Sequence, residues 1–142
     1  MSRRGILGGV GALAAAALTG CSVLRKDRAE LITEAVLEIP GVTGASLRTG
    51  TNNRFLQYVA GDVEIDADSR SAGLVTYDEA IRAAVTILHD REEDTTVIGG
   101  ITGRMADGIE LTPLELDPDF PSDSQRLDGI TARILYSRYG LE

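Results

Sequence analysis

Apolar and polar positions alternate along this chain in blocks, and each block has its own period. Leu31, Ile32, Ala35 and Val36 share one helical face. Asp27-Arg28-Ala29-Glu30 opens that stretch like a capping box and Pro40 forbids its continuation, which predicts a helix over about 27–38. After Pro40-Gly41, residues 42–48 suit a short strand, Gly50-Thr51-Asn52-Asn53 reads as a turn, and 54–66 reads as a long strand, so the pair forms a hairpin. Thr76-Tyr77-Asp78-Glu79 is a second capping box, followed by the apolar stripe Tyr77, Ile81, Ala84, Val85 and Leu88. Past the charged link 89–94, residues 95–105 and 109–116 read as two strands joined at Ala106-Asp107-Gly108. Ser122 with Gln125 then caps a last helix carrying Leu127, Ile130, Ile134 and Leu141. The predicted order is α-β-β-α-β-β-α. Its economical packing is an α+β two-layer sandwich, a four-stranded sheet with helices on one face.

The first residues follow a different rule. Arg3 and Arg4 precede an uncharged run, 5–20, rich in Ala, Gly and Leu, which has the form of a secretory leader. The run is too short and too rich in glycine for a stable bilayer span, which takes about 20 strongly apolar residues. Leu18-Thr19-Gly20-Cys21 resembles the lipobox of bacterial lipoproteins. That resemblance implies cleavage before Cys21, acylation of the Cys21 thiol, and a mature chain held at the outer face of a cell membrane. Ser2-Arg3-Arg4-Gly5-Ile6-Leu7 is similar to a twin-arginine export motif, and ordinary secretion is the equal alternative. The expected organisation is a signal peptide at 1–20, a lipidated Cys21 with a short tether at 21–26, and one α+β domain at 27–142.

Removing 1–20 takes away two arginines and no acids, so the net charge moves from −8 to −10. An acidic domain is a poor match for nucleic acid, whose phosphates reward the opposite sign. Cys21 is the only cysteine, so the domain has no internal disulfide and relies on packing. In the tether region Arg25, Lys26 and Arg28 place positive charge beside anionic head groups, while fully extended the segment from Cys21 to Asp27 reaches only roughly 20 Å.

Candidate chemistry is sparse. Asp62, Glu64, Asp66 and Asp68 alternate with Val63, Ile65 and Ala67, but an EF-hand loop counted from Asp62 meets Ala67 and Gly73 where Gly and Glu are required. Alternation on a strand sends the acids to water instead. His89, the only histidine, suits the C-terminal turn of its helix rather than a metal site or a triad. Gly99-Gly100 marks a bulge or a close backbone approach, the bulge being the commoner cause. Phe120, in Asp117-Pro118-Asp119-Phe120-Pro121, is either a docking anchor or a lid over the next helix start, the commoner arrangement. No catalytic, cofactor or metal residues are assigned.

Residues 29–101 also resemble a BON domain, a small envelope module of helix, hairpin, helix and strand, through Gly61-Asp62-Val63 and the alanines Ala80, Ala83 and Ala84. Where that family shows G-V-x-x-V in its last strand, this chain reads Val97-Ile98-Gly99-Gly100-Ile101. The resemblance implies attachment to phospholipid or to envelope proteins. The expectation is a non-enzymatic interaction module bound to the membrane through its lipid and to an envelope or membrane protein partner. A self-associating structural component and a carboxylate-dependent hydrolase are the alternatives.

Overall fold

The Asp27 carboxylate accepts the Glu30 amide at 2.9 Å and starts helix α1 (Arg28–Leu37) where the capping pattern places it. The computed structural model describes residues 27–116 and 127–141. Pro40 and Gly41, the latter at φ +98°, turn the chain into strand β1 (Val42–Thr51), which pairs antiparallel with β2 (Gln57–Ile65). Helix α2 (Arg70–Asp90) leads to β3 (Val97–Met105), and a turn at 106–109 leads to the two-residue strand β4 (Glu110–Leu111). The sheet order is β1-β2-β3-β4, with β2 and β3 parallel because α2 carries the chain back along the sheet, and with antiparallel pairs on either side. The fold is a two-layer α+β structure.

Ile32 and Val36 of α1 and Tyr77, Ile81, Ala84, Val85 and Leu88 of α2 join Val59, Val63, Ile65, Ile101 and Met105 in one buried cluster. The opposite sheet face carries Ser46, Arg48, Glu64, Gly100 and Arg104, all exposed. Strand alternation in β2 therefore sorts Val63 and Ile65 inward and Glu64 outward. Packing between the layers is close. Tyr77 lies over Gly103, where a Cβ would come within 2.7 Å of its ring, and its hydroxyl donates to the Ile101 carbonyl at 2.6 Å.

Three expectations are corrected. Helix α2 begins not at the Thr76 box but at Ser69, whose hydroxyl accepts the Ala72 amide at 3.1 Å. Gly73, a poor helix former, stands inside the helix because Met105 Sδ would lie 2.6 Å from a Cβ there. The strand expected at 109–116 stops at Leu111, since Pro113 has no amide to donate and opens a 3-10 turn (Pro113–Glu115). The expected final α-helix is instead a run of 3-10 turns (Leu127–Gly129, Ala132–Leu135, Ser137–Tyr139). Its backbone groups are drawn to the edge of β3: Ile98 donates to Ile130 at 2.8 Å, Ala132 to Thr96 at 2.9 Å, and Thr131 bridges Val97. The expected cap residues Ser122 and Gln125 lie outside the described residues.

Gly99 and Gly100 serve both purposes read from the sequence. Tyr58 pairs with Val97 but Ala60 with Gly100, so β3 bulges by one residue, and the Leu127 carbonyl occupies the space a Gly99 side chain would need.

Candidate functional site

The best-defined exposed feature is the tip of the β1–β2 hairpin. Asn52 accepts the amides of Arg54 and Leu56 on its side chain at 2.9 and 3.0 Å. Its own backbone pairs with Leu56 and Phe55 at 2.9 and 3.0 Å. Five residues are thus closed around one asparagine. The closure holds Phe55 in the left-handed region at φ 65°, unusual for a side chain of this size, and leaves it 88% exposed. Arg54 is also exposed and takes part in none of the ion pairs among the described residues. Beside the tip, Asn52, Tyr58, Ala60, Val97, Gly100 and Leu127 line a shallow apolar depression of about 240 Å³.

Helix α1 begins at the same end. Arg28 Nη1 donates to Gln57 Oε1 at 2.6 Å and its Nε pairs with Glu93 at 2.6 Å, while Arg91 reaches the other Glu93 oxygen at 3.2 Å. Hydrogen bonding and charge from Arg28 and Arg91 outweigh burial and hold the Glu93 carboxyl below its ordinary range. The Arg28 charge, expected beside head groups, is therefore neutralised inside the domain. Arg25, Lys26, Cys21 and Phe120 lie outside the described residues.

Of the acidic series, Asp62 pairs with Arg104 at 2.9 Å on the open sheet face, Glu64 is exposed beside Gly44, and Asp66 and Asp68 follow the strand rather than belonging to it. His89 stands in the last turn of α2, edge-on to Tyr136 with ring centres 5.0 Å apart. Its Nδ1 is 3.5 Å from Asp90 Oδ1 without hydrogen-bond geometry. No group of three or more His, Cys, Asp or Glu suited to a metal occurs among the described residues.

A second polar cluster fastens the C-terminal turns to α2. Arg138 forms a fork on Asp78 at 3.2 and 2.8 Å, and Tyr139 donates to Asp78 Oδ1 at 2.6 Å. Burial raises the Asp78 carboxyl, but the bonds from Arg138 and Tyr139 more than offset it and leave it below its usual value. Burial and the bond to Asp78 push the Tyr139 phenol well up. Every member is paired within the cluster, which clasps the C-terminal turns to α2. A carboxylate with a depressed folded value contributes stability above its unfolded value, near pH 4, and loses it as pH falls through the folded one. Asp78→Ala should therefore cost about 1–2 kcal/mol at pH 7, the worth of charge-assisted bonds discounted for partial exposure. Urea unfolding should show this gap closing at pH 3.

The sequence reading found the hairpin but set its turn at 50–53 and Phe55 inside the next strand, whereas β1 runs to Thr51 and the loop closes over 52–56. Asn52, able to bond amides two and four residues ahead, was the available signal. No helix among the described residues is long and apolar enough to cross a membrane. No family model, curated protein or solved structure matches this chain.

Proposed function

We propose that this is a lipid-anchored protein of the bacterial envelope whose domain is a non-enzymatic interaction module at the outer face of a membrane. The observation that carries this reading is where the chain joins the domain. Asp27, six positions after the lipobox cysteine, opens α1 next to a rigid hairpin tip that exposes Phe55, so the tether delivers a preformed contact feature close to the bilayer. The order helix, hairpin, helix, strand over 28–105 supports the BON resemblance, and Gly61 of its Gly-x-Val element sits in β2 at φ +138°.

One observation favours self-association as a second reading. β1 is an edge strand of ten residues with a single charged side chain, Arg48, so its outer backbone groups are open to pairing with another strand.

The test is distance. A flexible Gly/Ser insert of about 20 residues after Lys26 adds roughly 25 Å of root-mean-square reach. It should leave the melting temperature unchanged and reduce several-fold the partner captured by cross-linking in intact membranes, because effective concentration falls with tether length. Undiminished capture would show that proximity to the membrane is irrelevant.

A further inference from the structure

We propose that the Arg54–Phe55 tip is a second membrane contact, which lowers the Phe55 ring into the interfacial layer of the bilayer that holds the lipid anchor. The proposal rests on the reading of Cys21 as that anchor and adds to it an orientation.

Position is the first argument. β1 runs from Val42 to the tip, and α1 is joined to its start through the turn at Pro40-Gly41. The beginning of α1 therefore lies at the tip end, where Arg28 binds Gln57, two residues beyond Phe55. Fully extended, the stretch from Cys21 to Asp27 reaches only roughly 20 Å, so an anchored domain keeps this end nearest the lipid. The turn at 106–108, on the far end of β3, points away from it.

Chemistry is the second. Phe, like Trp and Leu, buries at the boundary between head groups and acyl chains, and the bonds around Asn52 hold the loop backbone that carries it, so insertion orders no backbone. The left-handed backbone at Phe55 is a conformation a glycine would adopt more readily, and here it serves to project a large apolar group outward. Arg54 belongs to none of the ion pairs formed among the described residues at this end, which leaves its guanidinium available to lipid phosphate. Arg28 and Arg91 are held by Glu93, and Arg133 by Asp94 at 3.3 Å.

The chain has no tryptophan, which makes the test direct. Phe55→Trp, prepared as the full lipidated protein, is reconstituted into vesicles of phosphatidylcholine and phosphatidylglycerol with brominated acyl chains. An indole buried at the acyl boundary should emit at shorter wavelength and lose about half its intensity to the bromines. Ala106→Trp, in the exposed turn at the opposite end, should show neither change. An unshifted, unquenched indole in the Phe55→Trp protein, or equal quenching of both probes, would overturn the proposal. Lack of quenching together with a photocross-link from position 55 to a protein in cells would replace lipid by a protein contact. Mass spectrometry of the same samples separates the two failures: a preparation without acyl mass on Cys21 refutes the anchor, whereas acylated Phe55→Trp protein whose indole stays unquenched refutes the tip alone.

Discussion

Gly61→Ala should strongly destabilise this domain. Gly61 stands in the middle of the β1–β2 ladder opposite Leu47, at φ +138°, a backbone conformation that side-chain-bearing residues rarely adopt. A Cβ there would overlap the Ser46 carbonyl oxygen and come within 2.9 Å of Leu47 Cα. Both obstacles are backbone, so no rotamer change relieves them. Backbone strain and overpacking together predict a loss of about 4 kcal/mol, a large share of a total of roughly 5–15 kcal/mol. Gly44→Ala provides the control, because its Cβ would meet only the Glu64 side chain at 3.4 Å, which is free to shift. Urea denaturation should place the Gly44 variant close to the parent and the Gly61 variant far below it. Equal midpoints for the parent and the Gly61 variant would contradict the register of β1 on β2.

The second large effect concerns the anchor. Each buried CH2 of an acyl chain contributes about 0.8 kcal/mol, so one chain holds a protein marginally and two anchor it stably. Cys21→Ala removes the only thiol in the chain. In detergent phase separation the parent should enter the detergent phase almost completely. The variant should carry no acyl mass and should retain residues 1–20, since the resemblance places cleavage after modification of the cysteine. A variant cleaved and partitioned like the parent would remove the lipid from the account.

Periodicity disclosed the two-layer fold because both helices and β2 bury one face against a common core: Ile32 and Val36, the stripe from Tyr77 to Leu88, and the pair Val63 and Ile65 are inward residues on period alone. It failed where backbone hydrogen bonds made elsewhere outweighed local pattern. Leu127, Ile130 and Ile134 have helical spacing, yet Thr131 and its neighbours bond the edge of β3 and split the segment into 3-10 turns. The early start of α2 was hidden by Gly73, whose presence records the nearness of Met105, a contact 32 positions away in sequence. The position of the hairpin tip was misread by two residues for a related reason. Arg54 and Phe55 look like strand residues, and only the bonds from Asn52 hold them in a loop. Among the residues that the sequence suggests as contacts, Arg28 is committed to Glu93 and Gln57.

The central claim, that the domain works as a module fixed to a membrane by its first mature residue, is tested most directly by the mass of the N-terminal peptide of the protein purified from membranes. The account predicts a peptide beginning at Cys21, carrying a thioether-linked diacylglyceryl group and ending at the first protease site beyond it. A mature N-terminus at any other residue, or an unmodified Cys21 thiol, would contradict it.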